Sequence, residues 1–178
     1  MRENYEGEQR GRTTMNVAGV APVSDVHLEG WKNLLVVSVR EVFQGMLKTK
    51  VAPVFQPERT LTLDWTAMIG FAGELRGVLM LSCDELSATR IASKMLEMPI
   101  EGPNEECKDA LGEACNMIAG NFKHKISGLS AKCALATPVV ITGKDYRVHR
   151  KESGAQESLF VTFTFMGSPI YASLELQK

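Results

Sequence analysis

Between Glu105 and Ser127 the apolar residues Cys107, Leu111, Ala114, Ile118, Phe122 and Ile126 recur at spacings of four, three, four, four and four. Positions so spaced all fall on one side of an α-helix, whereas in a strand Cys107 and Leu111 would face away from the other four. The chain must therefore carry a helix over residues 105–127 with one long buried stripe, and that stripe needs a broad apolar surface to lie on. Asn104, followed by Glu105 and Glu106, supplies a capping side chain and first-turn acids for its start, and Ser127-Gly128 a stop.

The surface comes from segments whose apolar residues alternate instead. In LTLDWTAMIGF, Leu61, Leu63, Trp65, Ala67 and Ile69 alternate with Thr62, Asp64, Thr66 and Met68; in ELRGVLMLSC, Leu75, Leu79, Leu81 and Cys83 share one face. The short glycine-containing link GFAGE predicts an antiparallel hairpin. Its glycines are not those of a phosphate loop, because the GK[ST] ending is missing. TPVVITG, SLFVTFTF and PIYASLEL read as further strands. Leu159, Val161, Phe163 and Phe165 face one way, and Ile170, Ala172, Leu174 and Leu176 fold back on them through MGSPI. The loop KDYRVHRKESGAQE between strands is expected to be exposed.

Two more helices complete the pattern. One starts near Ser24-Asp25 and turns Trp31, Leu35, Val39, Val42 and Met46 to one face, before Pro53 and Pro57 break the chain. The other, SATRIASKMLEM, has Ser87 or Asp84 as its N-cap and ends at Pro99 and EGP. This element order predicts an α/β fold of the two-layer α+β kind, a mainly antiparallel sheet covered on one face by long helices. Residues 1–23 are polar and aperiodic and read as a mobile arm; residues 24–178 form a single domain.

Charge and composition narrow the function. Twenty Lys and Arg stand against twenty-one Asp and Glu, so no general field draws the chain to nucleic acid or an anionic membrane. No apolar run approaches the roughly 20 residues that span a bilayer, and MRENYEGEQRGRTT lacks the apolar core of a signal peptide, so the expectation is a cytoplasmic protein. Cys83, Cys107, Cys115 and Cys133 form no CxxC pair and no metal-ligand spacing with His27, His124 or His149, and read as buried thiols rather than a metal or disulfide site.

What remains is the side of the third helix opposite its stripe. Asp109, Glu113, Asn116, Gly120 and Lys123 fall together there, with Gly112 and Ala119 just beside them. A solvated helix face accounts for the two acids and the lysine. It accounts poorly for Asn116 and the glycines, since a helix-interior Gly costs about 1 kcal/mol relative to Ala. Small residues beside a polar line allow another molecule to come close, which points to a docking or catalytic surface.

DALGEACN reads as Asp-x-x-x-Glu-x-x-Asn, with NMIAGNFK continuing it and Pro138 following. These residues, and the order of elements over residues 25–178, resemble the CheX/CheC/FliY family of response-regulator phosphatases. Glu29 is followed by Lys32 and Asn33, so a second Glu-x-x-Asn fails by one position, and a single motif copy is closer to the CheX type than to CheC. The resemblance implies a CheC-like, six-stranded, mainly antiparallel sheet, often paired as a homodimer. It implies hydrolysis of the aspartyl phosphate of a CheY-like receiver domain in chemotaxis or related two-component signalling.

In that role Asn116 would orient the attacking water, Glu113 would pair with the receiver's active-site lysine, and Asp109 would make a secondary contact. Gly112 and Gly120 would provide clearance, and Lys123 would meet an acidic edge of the partner or interact with the helix dipole. No cofactor of the chain's own is implied, Mg²⁺ being supplied by the phosphorylated receiver. The rival readings are a non-catalytic receiver-binding adaptor or scaffold of the same fold, and a small-ligand binding domain using the sheet.

Overall fold

A computed structural model describes residues 25–54, 64–127, 131–144, 146 and 156–177, with the side chains of residues 25–28 and 156–157 left aside. The expected N-terminal arm, Leu61 and Leu63, and most of the loop from Lys144 to Glu157 lie outside the described residues. The elements are α1 (Asp25–Met46), β1 (Ala52–Val54), β2 (Trp65–Gly73), β3 (Gly77–Cys83), α2 (Glu85–Leu96), α3 (Glu105–Lys125), β4 (Cys133–Leu135), β5 (Val139–Thr142), β6 (Gln156–Phe165) and β7 (Ser168–Gln177).

All pairings are antiparallel, in the order β1-β6-β7-β3-β2-β4, with β5 also pairing β2. The sheet has seven strands where six were expected, because two short strands share one edge: β4 pairs Phe71–Gly73 and β5 pairs Trp65–Met68 of β2. The β2–β3 hairpin forms as expected, Phe71 facing Gly77 at its end. Gly73 makes the corner possible: its φ is +128°, and a Cβ there would lie 2.2 Å from the Lys132 carbonyl oxygen. At the other edge, Pro53 sits within β1, opposite Phe163. An edge strand tolerates a proline because one row of its amides has no partner to lose.

Alternation divides the strands cleanly. Trp65, Ala67, Ile69, Leu79, Leu81, Cys83, Val161, Phe163, Ile170, Ala172 and Leu174 are all buried against the helices. On the other face Thr66, Ser82, Tyr171 and Thr162 are buried too, and they lie in one row across β2, β3, β7 and β6. The Thr66 hydroxyl donates to Ser82 Oγ at 2.7 Å and accepts from the Tyr146 hydroxyl. Period two marks that face as polar; hydroxyl bonds satisfy its Tyr146, Thr66 and Ser82 end, while the Tyr171 and Thr162 hydroxyls are buried with no hydrogen-bond partner among the described residues.

The helices are held from both ends. Asp84 caps α2 by accepting from the Ser87 amide at 2.7 Å, which settles the choice between the two candidates, and left-handed Glu97 closes the helix. Asn104 caps α3 in the same way, accepting from the Cys107 amide at 3.1 Å. Phe43 of α1 meets Phe165 of β6 edge-on at 5.2 Å, while Phe122 of α3 lies between Trp31 and Phe71 at 6.4 and 6.2 Å. Glu41 of α1 accepts from Asn121 at 2.9 Å and pairs with Lys125 at 2.7 Å, fastening the end of α3.

Phe122 joins helix, helix and sheet at one point, so Phe122→Ala should cost about 3–5 kcal/mol of stability, read as a lower urea midpoint at unchanged slope. The bonds from Lys125 and then Asn121 hold the Glu41 carboxyl below its ordinary 4.5. A depressed folded-state value means the clamp contributes at neutral pH and is lost as pH falls below the ordinary value. Because Glu41 is exposed, Glu41→Gln should remove less than about 1 kcal/mol at pH 7 and progressively less as the pH falls below 4.5, measured by urea denaturation across that range.

Candidate active site

Helix α3 runs over the β2 end of the sheet between its two companions, touching α1, α2, β2, β3, β4 and β5. Its buried arc is wider than the sequence stripe: Ala110, Gly112, Cys115 and Ala119 join Cys107, Leu111, Ala114, Ile118 and Phe122, with Ile126 partly buried. Contacts on three sides leave a narrow strip in the open. On that strip Asp109 and Glu113 are exposed, and Asn116, Gly120 and Lys123 are partly buried.

Glu113 and Asn116 stand one turn apart, a spacing at which neighbouring Cβ atoms lie about 5–6 Å from each other. Among the described residues neither side chain has a hydrogen-bond or ion-pair partner, and Asp109 has none either. The fold thus fixes where the two groups stand without using their polar atoms. An amide carbonyl accepts hydrogen bonds but has no useful basicity at neutral pH, so Asn116 can orient a water and cannot act as a base. Glu113 can accept from a cation.

Two residues of the expected set are engaged within the chain. Gly112 is buried, and a Cβ there would lie 3.4 Å from Val140 Cγ2 and 3.8 Å from Pro138 Cβ. Its small size lets β5 and the segment before it approach α3, so the clearance expected for a partner serves the chain's own sheet edge. Lys123 donates from Nζ to the Cys133 carbonyl oxygen at 2.8 Å and ties α3 to β4, rather than standing free on the surface. Gly120 stands in open space: a Cβ there would meet nothing within 4 Å among the described residues.

Among the described residues no group of three His, Cys, Asp or Glu is placed to hold a metal ion, and no helix is long and apolar enough to cross a membrane. All four thiols are buried, and burial pushes the Cys115 thiol up to about 12 and Cys83 higher still. Glu29 and Asn33 of α1 are exposed but lack the motif spacing. Sequence reasoning missed the wall beside the strip, formed by Met95 and Leu96 at the end of α2. Its signal was MLEM, where Leu96 follows Met95 but stands outside the α2 stripe of Ala88, Ile91, Ala92 and Met95.

A two-layer α+β domain that offers a Glu-x-x-Asn pair on the open side of its central helix is the class of protein this arrangement defines. A family model described as chemotaxis phosphatase CheX matches residues 65–164. The chain belongs to that family. A curated relative, the CheY-P phosphatase CheX of Thermotoga maritima, is 29% identical over 82 residues, 46% of this chain and 53% of the relative. The chain thus spans about half the length of the curated relative it matches.

Among solved structures, the chemotaxis protein CheX from Vibrio vulnificus superposes with a TM-score of 0.70 at 26% identity, over 83% of this chain and 96% of that one. The CheX-CheY-BeF3-Mg²⁺ complex from Borrelia burgdorferi gives 0.66 at 21% identity over 83% and 98%, a likeness of fold.

Because no described residue occupies the space at Gly120, Gly120→Ala should gain up to about 1 kcal/mol of stability through helix propensity. Thermal or urea denaturation reads this directly. A loss instead would mean that the helix needs the glycine for its own packing.

Proposed function

We propose that the protein hydrolyses the aspartyl phosphate of a CheY-like receiver domain by placing α3 against the receiver's phosphorylation site. The observation that carries this reading is the pair Glu113 and Asn116, held side by side on the open strip of a helix whose other sides are fixed in the core. Membership of the chemotaxis phosphatase CheX family supports it, as do the names of the Thermotoga maritima relative and the Borrelia burgdorferi complex.

Phosphoryl transfer asks the protein mainly for positioning and charge stabilisation. Asn116 accepts a hydrogen bond from water and holds it in line with phosphorus, so the gain is orientational. Glu113 pairs with the receiver's active-site lysine and sets the docking angle. Asp109 makes a secondary contact, and Gly120 lets the receiver's backbone approach. Gly112 and Lys123 act indirectly, by seating α3 against β5 and β4. Mg²⁺ belongs to the receiver and neutralises phosphate charge when bound there. The setting is cytoplasmic chemotaxis signalling or a related two-component pathway. The protein pairs as a homodimer, and β1, whose outer edge has no strand partner among the described residues, suits edge-to-edge pairing.

Decay of receiver phosphate, timed with and without the protein, tests the assignment. Asn116→Ala should abolish the stimulated decay while leaving the urea midpoint in place, and Glu113→Ala should lower both maximal rate and apparent affinity. Full activity in Asn116→Ala overturns the water-positioning role. Tight receiver binding with no phosphate loss in the unaltered protein identifies an adaptor instead.

A further inference from the structure

Beside the strip, α2 and α3 leave a groove of about 220 Å³ lined by Met95, Leu96, Glu106, Asp109, Ala110 and Glu113. We infer that this groove takes one lysine or arginine side chain of the partner, distinct from the lysine that Glu113 meets. The inference rests on the receiver reading of the site and adds to it the chemistry of a second contact.

Size and lining both favour one side chain. The volume falls below the ~300–1,000 Å³ of pockets built for small molecules. Met95, Leu96 and Ala110 make an apolar floor, and Leu96 is 47% exposed, more than an apolar side chain needs for its own fold. The rim is three carboxylates, and no lysine or arginine lines the groove to balance them. An apolar stem ending in a cation matches this pattern of floor and rim, since Lys and Arg bury their methylene stems while the charged head stays at the edge.

Two cations are needed rather than one. Glu106 and Glu113 are seven residues apart on the same helix, about 10 Å along its axis. A single ammonium paired with Glu113 cannot also neutralise Glu106. Among the described residues Glu106 accepts only the neutral amide of Asn104, and the nearby Lys108 turns to Glu105 at 2.5 Å. The groove is also continuous with the proposed site, because Glu113 closes one end of it. A receiver seated on Glu113 and Asn116 therefore covers the groove.

Phosphate release titrated against phosphorylated receiver tests the groove separately from the chemistry. Glu106→Lys should raise the half-saturating receiver concentration about tenfold and flatten its salt dependence, with the maximal rate within about twofold. Leu96→Ser, at an exposed position that cannot unfold the core, should raise it about threefold. A receiver with one surface lysine or arginine replaced by glutamate should recover affinity for Glu106→Lys and lose it for the unaltered protein.

Half-saturation unchanged in both variants, with the unaltered protein active and Asn116→Ala inactive, overturns the groove and leaves the phosphatase reading standing. No phosphate loss from any receiver overturns both.

Discussion

The burial of one side of α3 against β2, β3 and the short strands at that edge of the sheet is the interaction on which the rest of the fold depends. Leu111, Ile118 and Phe122 are fully buried there, and side chains of that size contribute about 1.5–3 kcal/mol each when removed from water. The Cys115 thiol sits 3.6 Å from the Ala67 carbonyl oxygen of β2, so helix and sheet are in direct contact. With α1 and α2 closing the flanks, the helix has one azimuth at which everything packs. That azimuth decides which residues face out. Glu113 is exposed, and Asn116 partly so, because of what lies beneath them.

The same logic explains how much could be read in advance. Long elements with strong periodicity were legible: the stripe of α3, the alternation of β2, β3, β6 and β7, and the helical cap at Asn104. The three-residue strands β1 and β4 were not, since a segment so short carries no period, and Pro53 argues against a strand unless its edge position is known. The buried hydroxyl row from Thr66 to Thr162 was equally hidden. Polar residues at alternate positions look solvated in sequence, and only the folded sheet shows that Thr66 and Ser82 bond to each other across the strands.

The site was legible in position and less so in detail. A helical wheel gives the open line but not the width of the buried arc, which depends on how many neighbours a helix acquires. Gly112 stands at the border of that arc, and β5 claims it; Lys123 stands at the other end of the line, and β4 claims it. The chemistry of Glu113 and Asn116 came from family resemblance, because two unpartnered polar side chains on a helix do not name their substrate. The groove beside them escaped notice because its two walls come from helices separate in sequence.

The seating of α3 also means that the two halves of the site share a single rigid body. One residue step on a helix is a turn of about 100°. A roll of far less than that would carry both side chains off the direction a partner approaches from. Residues that never touch the partner, such as Cys115 beneath and Gly112 alongside, thereby act as the bearing on which that direction is set. Natural variation in this layer would appear as a change in catalytic competence with every surface residue intact, and a survey of the exposed face alone would miss its cause.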